Sequence, residues 1–314
     1  MKKVVFATIL ALFAPHIQAQ ESRTVFNFLR LPVSAHVSAL GGDNITIQED
    51  DPTLLFHNPS LLNGVTDRTL NLNFMTYMEG TKLASASFVK AWGEQGTWGV
   101  GAQYLDYGTM RETDVDNQQL GEFSARDIAV CGSVAHTLAR NITGGITAKM
   151  VTSYIGHYNS LAAAVDLGVN FYDPDTEWSV SAVARNLGGQ LTAYEDDFER
   201  MPFDLQLGVT KRLVGSPLRI SATFVKLNDW DVGFGKHLVV GADLLLTPQF
   251  YVAAGYNGRR ASEMAIDEDE GSSAHGAGLS FGAGLMLERL KLNVAYARYH
   301  VSAYSLLFNL SYAL

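Results

Sequence analysis

The chain has 314 residues, of which 47% are hydrophobic, with 29 glycines, one cysteine and a formal net charge of −9. This acidic balance argues against nucleic acid as a partner, because nucleic-acid binding needs a basic face. The single cysteine, Cys131, excludes an internal disulfide framework, so the chain must gain its stability in another way.

The first residues have the pattern of an export signal. Lys2 and Lys3 precede an apolar stretch at 4–14, and Ala19 provides a cleavage site after it. The stretch is too short to cross a bilayer as a helix, so we predict a secretory signal peptide over residues 1–19. Its removal takes away two lysines and changes the net charge from −9 to −11. The residue after the predicted cleavage site is Gln20 and not cysteine, which argues against a lipid anchor.

Residues 20–66 contain many turn and helix-breaking signals, among them Pro32, Gly41-Gly42, Pro52 and Pro59. Short apolar patches lie between these signals. We therefore predict a compact N-terminal element over 20–66, with a short helix near 33–40, and not a stretch of regular sheet.

From about Arg68 onward, large apolar residues alternate with small or polar ones. Leu70, Leu72 and Phe74 alternate with Asn71 and Asn73, and the same period of two continues to the C-terminal residue, Leu314. Segments of roughly ten residues are long enough for a tilted strand to cross a bilayer. The alternation predicts about fourteen such strands, at 68–78, 81–91, 97–108, 123–136, 142–155, 160–172, 177–187, 203–213, 217–227, 236–247, 249–258, 274–286, 290–299 and 303–313.

The connections between these strands sort by parity. The even-numbered ones are all short, at 92–96, 137–141, 173–176, 214–216, residue 248 and 287–289. The long ones are all odd-numbered, at 109–122, 188–202, 228–235 and 259–273. Short periplasmic turns and longer outer loops are typical of outer-membrane barrels. The predicted fold is therefore all-β, a transmembrane antiparallel β-barrel over 67–314 whose lumen is plugged by residues 20–66.

Two further patterns agree with a barrel in lipid. Aromatic residues near strand ends on the apolar face indicate a girdle at the lipid headgroups: Trp98, Tyr104, Trp178, Tyr256, Tyr296 and Tyr312. Ionisable residues fall on the opposite face, which predicts a charged lumen: Asp127, Lys149, Asp166, Arg185, Asp204, Arg219, Asp243 and Lys291. We interpret them as paired networks that hold the plug; the alternative is a polar conduction path.

The N-terminal element also carries a resemblance. Its motifs are FLRLPVSA at 28–35, ALGG at 39–42, DDPTL at 50–54 and NPSLL at 58–62. This opening resembles the FadL-like outer-membrane barrels, and within them the PorQ and PorV proteins of the type IX secretion system of Bacteroidota, PorQ more than PorV. The resemblance covers only residues 26–62 by motif.

The resemblance implies a fourteen-strand barrel with its N-terminal segment in the lumen, located in the outer membrane. It implies a non-enzymatic role in anchoring the surface complex that processes and attaches secreted cargo. Its partners would be outer-membrane lipid and, through the outer loops, a PorZ-like adaptor, a PorU-like sortase and a PorV-like barrel. The alternative within the family is a FadL-like channel for fatty acids or other hydrophobic compounds.

No motif in the sequence predicts a catalytic, cofactor or metal site. The acidic run 267–270 lacks the alternation of a calcium loop and is interpreted as a solvated loop tip. The eight histidines have no zinc-helix spacing, and the glycines of 276–284 are followed by no helix that would bind phosphate. A third alternative, an outer-membrane hydrolase, has only scattered Ser, His and Asp residues in its favour.

Overall fold

Strands form most of the molecule in the computed structural model, which describes residues 24–113, 116, 118–230, 233–264, 266–268, 271–273, 276–299 and 303–314. The predicted signal peptide, 1–19, lies outside these residues. The strands are β1 Thr69–Thr76, β2 Lys82–Trp92, β3 Gly96–Thr113, β4 Gln119–Ala139, β5 Ile142–Ile155, β6 Tyr158–Asp173, β7 Trp178–Thr192, β8 Asp204–Arg212, β9 Leu218–Phe224, β10 Leu238–Leu245, β11 Phe250–Asn257, β12 Ile266–Glu268, β13 Gly271–Ser273, β14 Leu279–Met286, β15 Leu290–Ala297 and β16 Ser305–Ala313. No helix in this part of the chain is long and apolar enough to span a membrane.

Fourteen of these strands form one closed antiparallel barrel, as predicted; β12 and β13 form a separate hairpin. Each strand pairs with its neighbour in sequence, and β1 closes the barrel by pairing with β16, from Thr69 opposite Ala313 to Thr76 opposite Leu306. Within the barrel wall, closure leaves no strand edge unpaired. A closed barrel satisfies the backbone hydrogen bonds within the wall, which is the condition for a sheet to lie in lipid.

The polarity of the wall is the reverse of that of a soluble barrel. On β1 the outward side chains Leu72 and Phe74 are 49% and 42% exposed, whereas the inward Asn71 and Asn73 are buried. Asn73 bonds to Ser85 of β2 and Asn309 of β16 at 2.9 and 2.6 Å. Polar side chains thus hydrogen-bond to one another in the lumen while apolar side chains face outwards, as in transmembrane barrels.

The six predicted girdle aromatics all point outwards. Five are exposed, and Trp98 packs edge-on against Phe88 with ring centroids 6.0 Å apart. They form two sets at opposite ends of the barrel: Trp98, Trp178 and Tyr312 at one, and Tyr104, Tyr256 and Tyr296 at the other.

The two ends of the barrel differ in their connections, as the parity predicted. One end, the short-turn end, has connections of two to five residues: 93–95, 140–141, 174–177, 213–217, 246–249 and 287–289. The other end, the long-loop end, carries the connections 193–203, 225–237 and 258–278. Helix α2, Gly258–Glu263, and the hairpin β12–β13 lie in the last of these, and no pattern in the sequence predicts them.

The predicted loop 109–122 is largely strand. β3 and β4 remain paired beyond a bulge between Asp106 and Thr109, with Met110 opposite Phe123 and Arg111 opposite Glu122. The residues on both faces of this extension are mostly polar, so it lacks the alternation that marks the wall. The predicted loop 188–202 is shortened in the same way, since β7 continues to Thr192.

The N-terminal segment, here residues 24–66, consists of short helices whose caps explain its motifs. Helix α1, Ala35–Ala39, begins after Ser34, whose hydroxyl accepts from Val37 N, and it matches the predicted helix near 33–40. In DDPTL and NPSLL, Asp51 and Asn58 each cap a 3-10 helix, Pro52–Phe56 and Pro59–Gly64. Proline follows the cap in both, where its missing N–H is not needed.

This segment runs along the inner side of the wall from the long-loop end to the short-turn end. At the first, Val25 N donates to Arg200 O at 3.0 Å; at the second, Asn63 Nδ2 donates to Gln95 O at 3.2 Å. Between these contacts it packs on inward glycines of opposite strands, such as Gly255 of β11 and Gly145 of β5. A Cβ at Gly255 would overlap the backbone of the segment.

Candidate functional site

The lumen contains a chain of four charged groups that joins the N-terminal segment to the wall. His36 of α1 lies between two carboxylates: Nδ1 is 2.7 Å from Glu49 Oε2, and Nε2 is 2.5 Å from Asp243 Oδ1 on β10. Arg219 of β9 completes the chain, with Nε 2.8 Å from the second oxygen of Asp243. The imidazole also stacks on the Tyr251 ring, with centroids 3.8 Å apart.

This geometry favours the charged form of His36. A neutral imidazole has one N–H group and donates to one acceptor, whereas the imidazolium has two N–H groups and donates to two acceptors. Since both ring nitrogens face carboxylate oxygens, only the imidazolium makes both hydrogen bonds. His36 and Arg219 then balance Glu49 and Asp243, so the buried chain carries no net charge.

A second polar cluster lies where the β6–β7 ladder is interrupted. Val165 is opposite Leu187 and Leu167 is opposite Ala184, so two residues of β7 face Asp166 alone. Asp166 Oδ1 accepts from the backbone N–H of Asn186 at 2.7 Å, and its other oxygen lies 2.5 Å from Lys149 Nζ. The carboxylate thus replaces a missing ladder bond and neutralises the buried lysine.

Two further cations of the wall bind the N-terminal segment. Arg185 Nη2 donates to the carbonyl oxygens of Leu29 and Phe56, at 3.0 and 3.1 Å. Lys291 of β15 donates to Asp50 O at 2.8 Å and forms an ion pair with the carboxylate of the same residue. The segment is therefore attached through its backbone as well as its side chains, and from strands on different sides of the barrel.

The last two of the eight predicted lumen residues have local partners. Asp127 accepts from the Tyr107 hydroxyl at 2.7 Å, and Asp204 accepts from Gln206 and from the backbone of Lys226. All eight predicted lumen residues therefore line the inner face, but they form separate contacts and not one reaction centre. Sequence reasoning missed their partners His36, Glu49 and Asp50; the signal available was a histidine within an otherwise apolar and small-residue helix.

The remaining candidates form no site in the described part of the chain. No group of three His, Cys, Asp or Glu residues there is placed to hold a metal ion. His57 is buried, and its Nε2 accepts from Val33 N and Ser34 N at 3.3 and 3.4 Å, a structural role. Gly282 packs against Ala39, as expected for an inward glycine. The side chains of 267–270 lie outside the described residues.

The long-loop end presents large apolar side chains to solvent. Phe198 in the connection 193–203 is 66% exposed, and Trp230 and Phe234 in the neighbouring connection 225–237 are 63% and 64% exposed. These connections lie beyond the ends of β7 to β10, so the side chains stand outside the wall. Exposed aromatics of this kind are typical of protein contact surfaces.

Comparison with solved structures identifies the fold. The chain is similar to the toluene transporter TbuX of Ralstonia pickettii, with a TM-score of 0.56, 12% identity, and 91% of this chain and 98% of that one covered. A FadL homologue of Pseudomonas aeruginosa is similar with a TM-score of 0.54 and 12% identity, and 90% of this chain and 98% of that one are covered. A deletion mutant of the monoaromatic hydrocarbon channel TodX is similar with a TM-score of 0.63 and 13% identity, and 90% of this chain and 99% of that one are covered. This chain has the FadL-type barrel fold.

The fourteen strands of the closed barrel agree with the predicted number. No family model and no curated protein matches the sequence. At 12–13% identity the likeness concerns the fold alone. The narrower resemblance to PorQ and PorV therefore stays a prediction.

Proposed function

We propose that this protein is a non-enzymatic outer-membrane barrel that acts as a fixed platform, with its long-loop end at the cell surface. In this proposal it is a component of the type IX secretion system, where it anchors the complex that processes and attaches secreted cargo. The motifs of residues 26–62 support the assignment. They are the helix caps and turns that set the path of the N-terminal segment through the barrel.

The observation that carries the platform proposal is the attachment of the N-terminal segment across the whole lumen. Arg185, Asp243 and Lys291 hold it from three strands, and residues 33–62 are almost all buried. Breaking a buried ion pair costs about 3–5 kcal/mol. Such a plug is a permanent part of the barrel, which suits an anchor better than a passage for solutes.

The surface that would bind partners is the set of connections at the long-loop end. Trp230 and Phe234 lie on one connection, and Phe198 lies on its neighbour, so that one partner can contact all three. Aromatic anchors of this type often contribute 2 kcal/mol or more to binding, on the order of a thirtyfold change in affinity. The partners would be a PorZ-like adaptor, a PorU-like sortase and a PorV-like barrel.

The test is purification of the tagged full-length chain from native outer membranes in mild detergent, with mass spectrometry of what accompanies it. We expect large surface proteins in stoichiometric amounts. The double variant Trp230→Ser/Phe234→Ser should lose them, because it removes both exposed aromatic anchors of this connection. Trp92→Ser is the matched control: Trp92 is 70% exposed but lies at the short-turn end.

Recovery of the protein alone, together with normal secretion and surface attachment in a deletion strain, would contradict the platform proposal. Equal loss of partners from Trp92→Ser would show that the long-loop end is not the contact surface.

The second candidate function is a channel for hydrophobic compounds. It is supported by the fold, since the similar structures are described as a toluene transporter and a monoaromatic hydrocarbon channel. The cavities suit it less well. Grooves of about 860, 530 and 470 Å³ are lined mainly by outward apolar residues, whereas a cavity of about 250 Å³ inside the long-loop end has charged walls. Toluene uptake into vesicles containing the protein, above that of protein-free vesicles, would favour the channel.

A further inference from the structure

The charged cavity at the long-loop end lies between the N-terminal segment, the wall and α2. Its volume is about 250 Å³. Five cationic side chains line it: Arg30, Arg185, Lys226, Arg259 and Arg260. Three carboxylates accompany them: Asp43, Asp204 and Glu263. With all eight groups charged, the cavity has an excess of two positive charges.

The excess charge is not neutralised by ion pairing. Within the described residues, Arg259 forms an ion pair with Glu263, with Nε and Oε1 2.5 Å apart. Arg30, Arg185 and Arg260 have no described carboxylate within the 4.0 Å of an ion pair. Arg260 instead stacks over the Tyr299 ring, 4.5 Å from its centroid, and donates to Gly278 O.

Several guanidinium N–H groups of the side chains that line this cavity have no acceptor among the described residues. Arg185 and Arg260 are 3% and 8% exposed, and the Nε atom of each is buried with no hydrogen-bond partner among the described residues. The same holds for Nε of Arg30 and Nη1 of Arg259. Buried charged donors almost always have an acceptor, because leaving one unpaired forfeits its hydration. Four such donors belong to side chains that line one cavity, and together with its excess positive charge they point to an acceptor that is not part of the chain.

We propose that this cavity binds a compact oxyanion of the phosphate or sulfate type. Guanidinium groups match the oxygens of such anions in charge and in fork geometry. A volume of about 250 Å³ equals roughly eight water molecules at about 30 Å³ each, enough for one hydrated oxyanion and too little for a long acyl chain. The proposal stands whether the barrel is a platform or a channel.

The pKa of Lys226 reflects the surrounding cationic side chains. Burial, together with repulsion from Arg30 and Arg259, lowers the pKa of Lys226 from 10.5 to about 8, against the attraction of Glu263 and Asp204. A bound anion would stabilise the ammonium form. Sulfate keeps its charge between about pH 7 and about pH 9.5, so its affinity should fall over this range as Lys226 loses its proton.

The experiment is calorimetric titration of the full-length protein in detergent with sodium sulfate, inorganic phosphate and glycerophosphate, against sodium chloride. We expect saturable binding of one anion per chain, and a rise in unfolding temperature with sulfate. Arg30→Gln and Lys226→Gln should each weaken sulfate binding at least about tenfold, since each removes one charged donor. Lys236→Gln is the matched control, because Lys236 is an exposed lysine of the same connection as Lys226.

The comparison of glycerophosphate with inorganic phosphate separates the possible sources of the anion. Preference for glycerophosphate over inorganic phosphate indicates a phosphorylated headgroup, and the reverse order indicates the free ion; both support the proposal. Absence of saturable binding by all three anions would overturn it and leave water as the acceptor. Equal weakening of sulfate binding in Lys236→Gln would also overturn it. A wild-type sulfate affinity that does not change with pH, together with the same loss of sulfate binding in every variant, would overturn it as well.

Discussion

His36 is the residue on which the attachment of the N-terminal segment depends most directly. Its ring joins Glu49 of the segment to Asp243 of β10, and no other cation of the described residues lies within ion-pair distance of Glu49. Without the imidazolium, two buried carboxylates would face each other, with Arg219 left to balance both.

We expect His36→Leu to lower the free energy of unfolding by about 3–5 kcal/mol, the range for losing one partner of a buried charge pair. Urea unfolding in detergent, followed by tryptophan fluorescence, measures the change. His157→Leu is the matched control, since His157 is exposed in the two-residue turn between β5 and β6. An unfolding midpoint of His36→Leu equal to that of wild type would refute the role of the imidazolium.

At the scale of elements, inward glycines allow the segment to touch the wall. Gly255 of β11 lies against the backbone of Leu40 and Gly41, so a methyl group there has no space unless the segment moves. Gly132 of β4 faces outwards, and a Cβ there would meet nothing within 4 Å. Both positions are glycines within strands, but a Cβ has no space at Gly255 and open space at Gly132.

Gly255→Ala should therefore destabilise the protein by about 1–3 kcal/mol through overpacking, whereas Gly132→Ala should leave the unfolding midpoint nearly unchanged. Limited proteolysis gives a second measure: the segment should be cleaved faster in Gly255→Ala than in Gly132→Ala. Equal effects of the two substitutions would mean that the segment does not lie tightly on β11.

The strands of the wall were predictable because lipid outside and polar groups inside impose one period on every strand. β5 was predicted at 142–155 and lies there, and the other strands are centred where expected. The partners of the N-terminal segment were not predictable in this way. His36 and Asp243 are 207 residues apart, and no local pattern specifies that a helix residue will face one strand and not another. The hairpin β12–β13 was missed because strands of three residues show no alternation.

At the scale of the whole molecule, the number of strands makes the segment necessary. A barrel of about 8 strands is filled by its own side chains, and one of roughly 16 to 18 strands leaves a water channel. Fourteen strands fall nearer the second case. The interior is therefore too wide to be closed by the wall alone, and the N-terminal segment supplies the missing volume along the length of the barrel.

A lumen filled by the N-terminal segment should not conduct ions. Wild-type protein in planar bilayers should show no steady ionic current, because the segment and its ion pairs fill the lumen. The double variant Gly145→Leu/Gly255→Leu should show stepwise currents, since both substitutions push the segment away from the wall at opposite sides. Gly132→Leu should behave as wild type, because its added side chain points into lipid. A steady current through the wild type, comparable to that of an open porin, would show that the lumen is not closed and would remove the main support for the platform proposal.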